Sequence, residues 1–396
     1  MDEQSDEAKR ADRPEAETRS AETRSAEPLA ANAATSASGL NDPAARGGAD
    51  QIERGVDPTA PIEPGAVREV AEGVFLFANP VAFPPGFQNA YLLADEDENG
   101  APSWTLVDPG LSLTENAWRE RLAGPFAERR LTRIIATHHH PDHIGAAGAL
   151  QRDGATLATT RTAWLFARMM QLDDYDAPAP EAERFYAAAG FDEPMLERWR
   201  QRSRLNFAAM VHPLPLGYER LREDDAVTIG GRRWRVLMGH GHAPEHLMLC
   251  CEADDLLLAG DQILPRISPN IGVYPTEPNG DPLGEWLDSC HALVTLLAGR
   301  RDMLVLPGHG DPFRGPAKRL RRILEKHETA LERLAAFLDK PRTAVECFEP
   351  MFRRALDPSH EGLAVAETLA HLHRLTRLGK ARRVIGADGV HRFERA

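Results

Sequence analysis

The chain has 396 residues, 42% hydrophobic and 27% charged, with a formal net charge of −13. That length holds a sizeable core and more than one domain, and the composition is ordinary for a soluble protein. No stretch approaches the roughly 20 apolar residues that cross a bilayer, so no membrane span is expected, and the acidic N-terminus without an apolar core argues against a signal or transit peptide.

Residues 1–62 are rich in Ala, Glu, Ser, Arg and Pro and repeat Glu-Thr-Arg-Ser-Ala at 17–21 and 22–26. So little of this segment can be buried that a disordered tail is expected. From Val70 the texture changes. Gly73–Phe77, Asn89–Leu93 and Trp104–Val107 read as strands, with the acidic 95–100 run as a hairpin turn. Ser112 and Glu115 have capping-box spacing for a helix over Asn116–Arg130, and Leu131–Ala136 reads as a buried strand.

Residues 161–212 have helical spacing around Pro178 and Pro180 and form an insertion, either a lid or pocket wall or plain scaffold. Strand patterns return at Ala226–Ile229, Arg235–Met238, Leu247–Cys251, Leu256–Ala259 and Met303–Leu306. The four cysteines, Cys250, Cys251, Cys290 and Cys347, lack zinc-ribbon or redox spacing, which fits a reducing, cytoplasmic setting.

Beyond Gly315 the chain is helical. An amphipathic helix over 317–338 is followed by helices over 344–352 and 364–378 and a hairpin over 381–393. That order is the layout of a small winged-helix-like domain, 316–396, with 17 Lys and Arg against 11 Asp and Glu. Such a basic unit suits RNA or another phosphate-bearing partner. The same shape also serves packing or dimerisation, which leaves a homodimer open.

The chemistry concentrates in Thr137-His138-His139-His140-Pro141-Asp142-His143, on the loop between a strand and a small-residue helix opening. Side chains two apart on extended backbone point the same way, so His138 and His140 converge while His139 faces elsewhere. Asp142 and His143 turn at the helix entrance and can serve a second point. Three later strand ends carry the same residue types: the 239–246 loop with His240, His242 and His246, then Gly260-Asp261, then His309. Imidazole and carboxylate donors suit zinc, iron and manganese. Strand ends on one rim of a layered sheet are where such loops meet.

In order and separation these motifs resemble the metallo-β-lactamase superfamily over about residues 68–315. The trailing unit resembles its lactamase-like endoribonuclease branch. The resemblance implies an α/β fold, an αββα sandwich, with a catalytic domain over 63–315. It implies two Zn2+ ions, with iron or manganese as alternatives. His138, His140 and His242 would hold one, Asp142, His143 and His309 the other, and Asp261 would bridge them. Asp142 would also orient the attacking water. Asp108 and His246 would support ligands, and Arg266 could meet a carboxylate or phosphate. The expected activity is hydrolysis of a small ester or thioester. The alternatives are cleavage of RNA phosphodiesters and iron-dependent oxidation of the persulfide-dioxygenase kind.

Overall fold

The structure is a computed structural model that describes residues 52–82, 86–172, 179–202, 207–353 and 356–396. The repeat at 17–26, Pro178 and most of the expected tail lie outside the described residues. An eight-stranded sheet runs in chain order: β1 (Ile52–Glu53), β2 (Val67–Ala71), β3 (Val74–Pro80), β4 (Phe87–Glu96), β5 (Pro102–Val107), β6 (Arg130–Ile135), β7 (Thr156–Thr159) and β8 (Glu219–Arg220). The β2–β5 stretch is an antiparallel meander, whereas β5–β8 pair in parallel. α1 (Glu115–Ala123), α2 (Pro141–Ile144), α3 (Ala147–Arg152) and α4 (Arg161–Leu172) make its crossovers. The insertion continues through α5 (Pro180–Ala188), α6 (Glu193–Arg202) and α7 (Phe207–Met210).

The second sheet comprises β9 (Ala226–Ile229), β10 (Arg232–Gly239), β11 (His246–Cys251), β12 (Leu256–Gly260), β13 (Leu304–Pro307) and β14 (Phe313–Arg314), ordered β14-β13-β12-β11-β10-β9. α8 (Pro282–Leu296) links β12 to β13. Then follow α9 (Pro316–Phe337), α10 (Phe348–Phe352), α11 (Glu361–Arg377) and the hairpin β15 (Ala381–Ile385) and β16 (His391–Arg395).

Period-2 patterning sorts the strands into layers. Val74, Leu76, Leu247, Leu249 and Cys251 meet between the two sheets. Their neighbours face outward. Phe75 and Phe77 pack with Trp104, Trp118 and Phe126 under the first helical layer. Met248 and Cys250 pack with α8, α9 and α11 under the second. The result is helix, sheet, sheet, helix, an αββα sandwich.

Three local expectations change. Ser112 opens a 3-10 turn over Ser112–Thr114 instead of capping a helix, and α1 has no side-chain cap. The Thr114 hydroxyl donates back to the carbonyls of Pro109 and Leu111, 2.8 Å each. α1 also ends at Ala123, well short of Arg130, because Gly124-Pro125 supplies both a flexible residue and a missing N–H. The helix expected over 344–352 divides into a 3-10 turn at Val345–Cys347 and the five-residue α10. Pro350 is tolerated there only within the first turn, where its N–H is not needed.

Of the segment 1–62 read as tail, residues 52–62 are ordered. β1 pairs with β2, and Ile62 is buried. The Arg68 guanidinium, itself buried, donates to Glu53 and to the carbonyls of Ala60 and Pro61. No described helix is long and apolar enough to cross a membrane. All four cysteines are free and buried.

Candidate metal centre

β6 delivers Thr137–His143 to the rim, where Pro141 at the first position of α2 forces the run to turn into a helix. The chain that holds this loop in place begins at Asp108. Its carboxylate accepts from the Thr137 N–H (2.7 Å), the Thr137 hydroxyl (2.8 Å) and His143 Nδ1 (2.8 Å). Asp108 adopts φ 53°, a left-handed conformation that costs a non-glycine residue about 1 kcal/mol or more. The hydrogen bonds it anchors outweigh that cost.

The second sheet brings the other donors. β10 leads to His242, whose Nδ1 donates to the Asn270 carbonyl at 2.7 Å. β12 leads to Asp261, whose N–H donates to His246 Nε2 at 3.0 Å. β13 leads to His309, whose Nδ1 donates to the Phe87 carbonyl of β4 at 2.9 Å. β4 is fastened to that last loop by Asn89, whose side chain donates to the carbonyls of Pro307 and Gly310, and by the Tyr91 hydroxyl on Pro307. Two glycines permit the convergence. A Cβ at Gly260 (φ +48°) would fall 2.6 Å from His246 Cε1, and one at Gly308 would strike the Asp261 carboxylate.

All seven ligand-type side chains meet at this rim. One donor atom each of His138, His140 and His242 lies within 4.8 Å of the others, as do those of Asp142, His143 and His309, and of His138, His143 and Asp261. Asp261 Oδ2 stands 3.5 Å from the Nε2 of His143, of His242 and of His309, so one oxygen reaches both sets. Asp142 Oδ2 lies 3.2 Å from His309 Nε2 and 3.7 Å from His143 Nε2.

Backbone carbonyls and an ionised carboxylate only accept hydrogen bonds. His143, His242 and His309 therefore carry their protons on Nδ1 and turn Nε2 inward, the usual posture of a metal-binding imidazole. The inward atoms His143 Nε2, His242 Nε2 and Asp261 Oδ1 are buried without a hydrogen-bond partner. Burial, with the neighbouring imidazoles, holds His138 and His140 well below the usual histidine range, leaving free lone pairs at neutral pH. For His143 burial works the same way, but Asp261, Asp142 and Asp108 outweigh it and push its pKa up. Unpaired donors of both kinds around a shared carboxylate fit a pair of divalent cations.

The flanking residues sort clearly. His246 stacks on His138 (4.7 Å) and positions the Asp261 backbone, one step outside the donor cluster. His240 turns away to the Pro244 carbonyl. His139 is buried at 7% exposure between His140 and Phe166 of α4, 5.1 Å from the latter. Arg266 is exposed and paired with Asp311 at 3.2 Å. Glu245, next to His246 in sequence, accepts the Thr162 N–H at the start of α4. The supporting parts played by Thr137, Phe166 and the carbonyls of Asn270 and Phe87 do not follow from the sequence. Only Thr137, beside the histidine run, carried any local signal.

The model of the metallo-beta-lactamase superfamily matches residues 83–309, and that of the metallo-beta-lactamase-like C-terminal domain matches 331–396. The chain is 25% identical over 311 residues to the probable metallo-hydrolase YqjP of Bacillus subtilis (strain 168), covering 76% of this chain and 91% of that one. The crystal structure of a beta-lactamase domain protein from Burkholderia ambifaria superposes with a TM-score of 0.78 at 35% identity, covering 86% of this chain and 98% of that one. A metallo-beta-lactamase family protein from Thermus thermophilus gives 0.66 at 30% identity, with 83% and 100% covered. The chain belongs to the metallo-beta-lactamase superfamily.

Proposed function

We propose that the protein is a dinuclear metallohydrolase that cleaves a small ester or thioester. His138, His140 and His242 would hold one cation, Asp142, His143 and His309 the other, and Asp261 would face both. The observation that carries this is Asp261 Oδ2, equidistant at 3.5 Å from imidazoles of the two sets. An imidazole-rich donor set favours zinc. Two such cations lower the pKa of a water toward neutrality and polarise a carbonyl.

The chain's own residues then have definite tasks. Asp142 keeps 14% side-chain exposure at the mouth, where its carboxylate can align a water for attack on the acyl carbon and take up its proton. The same carboxyl returns that proton to the departing thiolate or alkoxide. Asp108, Asn270 and Phe87 fix the imidazole tautomers, so the donors are preorganised.

The surroundings favour an acyl substrate over a polyanion. Leu165 and Met169 flank Phe166 on α4, and Ile267, Tyr274 and Leu363 are exposed around the segment that holds His242. Arg266, the guanidinium expected to meet an anion, is paired with Asp311. The test is a parallel assay of the chain, loaded with zinc and separately with iron, on acyl-thioesters, esters, single-stranded RNA and a glutathione persulfide with oxygen consumption monitored. Thioester or ester turnover is expected. It should vanish in His138→Ala and Asp261→Ala and largely survive in His139→Ala. Turnover confined to RNA or to persulfide would overturn the proposal in favour of those chemistries.

A further inference from the structure

A second cluster of metal-type side chains lies in the core, on the far side of the second sheet. Glu367 and His371 stand one helical turn apart on α11 and so share a face. His327 faces them from α9. One donor atom from each of the three lies within 4.8 Å of the others. His371 Nδ1 donates to the Glu367 backbone carbonyl at 2.8 Å, which leaves its Nε2 lone pair directed at His327 Nδ1, 3.1 Å away. Two nitrogens in a tetrahedral zinc shell, each about 2.0–2.1 Å from the metal, stand about 3.3 Å apart.

A plain hydrogen bond between the two rings leaves too much unmet. His327 is 2% exposed and its Nε2 has no partner. The Glu367 carboxyl is raised to about 7 by burial, and the one cationic side chain acting on it, Lys326, hydrogen-bonds to Ser268 instead. A half-buried carboxyl with no fixed counter-charge, beside a buried imidazole with one nitrogen unpartnered, is costly. A divalent cation held by His371 Nε2 and His327 Nδ1 takes the place of the ring-to-ring hydrogen bond and supplies the counter-charge Glu367 lacks.

We propose that His327, Glu367 and His371 form a third divalent-cation site, independent of the rim, that ties α9 to α11. Two imidazoles and one carboxylate are a donor set suited to zinc. Its role would be structural. α11 supplies the carbonyls of Leu363 and Ala366 to Asn270 and Val273, and Asn270 in turn orients His242. A cation here braces the support behind the rim without touching substrate.

The test uses the full chain, stripped with a chelator, reloaded with zinc alone and freed of excess. Elemental analysis should find one zinc fewer per chain in Glu367→Gln than in the unsubstituted protein, with hydrolytic turnover at saturating zinc little changed. Crystals of the unsubstituted chain, measured at the zinc absorption edge, should show an anomalous peak between α9 and α11 besides those at the rim. The crystallographic arm holds even if Glu367→Gln fails to fold. No peak between the helices, or equal zinc in the two folded chains, would overturn the site and leave a hydrogen-bonded histidine pair. Loss of the rim peaks with this one retained would instead sink the dinuclear reading alone.

Discussion

Asp108 shows how much of the centre rests on a residue that binds nothing itself. Its carboxylate satisfies a backbone N–H, a hydroxyl and the outer nitrogen of His143 at once, from a strained φ of 53°. Asparagine tolerates that conformation and keeps one acceptor oxygen, but its amide cannot replace the charge facing His143. Asp108→Asn should therefore fold and lose about 10- to 100-fold in metal affinity, read by competition with a chromophoric chelator. Unchanged affinity would mean that His143 is held by packing alone. His138, His140, Asp142 and His143 are legible in the sequence because they share one short loop after β6, although that loop bends where extended backbone is expected. The groups that aim them are not legible, since the carbonyls of Asn270 and Phe87 belong to every residue type and become specific only when distant loops meet.

At the scale of elements, strands were more legible than helix ends. Continuous apolar runs identify β3 and β11, which are buried on both faces, and alternation identifies β9, which has one exposed face. The sequence overextends α1 because apolar spacing continues past Gly124-Pro125, where Phe126 is buried from a turn. The 52–62 segment reads as tail for the opposite reason. Its composition is polar, and its order comes from contacts it receives, with Arg68 reaching back to three acceptors and Asp311 taking the Ile62 N–H at 3.0 Å. Burying Ile62 is worth about 1.5–3 kcal/mol, and a buried guanidinium stripped of three acceptors adds at least a similar cost. Deletion of residues 1–51 should leave the melting temperature within about 1 °C. Deletion of 1–62 should lower it by at least about 5 °C. Equal curves from calorimetry would show that this segment contributes nothing to the sandwich.

Across the whole molecule the C-terminal elements behave as a wall of the second helical layer. Ile271, Val273, Leu283, Trp286 and Leu293 share one apolar cluster with Leu320, Leu334, Val365, Leu369, Leu372 and Phe393, so the core runs unbroken past Gly315. Part of the insertion joins it, because Tyr186, Phe191 and Met195 lie in that cluster and Arg198 pairs with Glu361 at 2.8 Å. A chain cut after residue 315 would expose this face of α8 and release the 270–274 segment from α11. The lost partners amount to many large apolar side chains, each worth about 2–5 kcal/mol when deleted from a core, against a total stability of about 5–15 kcal/mol. The truncated chain should therefore be insoluble or melt without a cooperative transition, while the intact chain unfolds in one. A soluble 1–315 fragment with a sharp calorimetric transition would show instead that the sandwich closes without its C-terminal wall, and that His242 needs no support from α11.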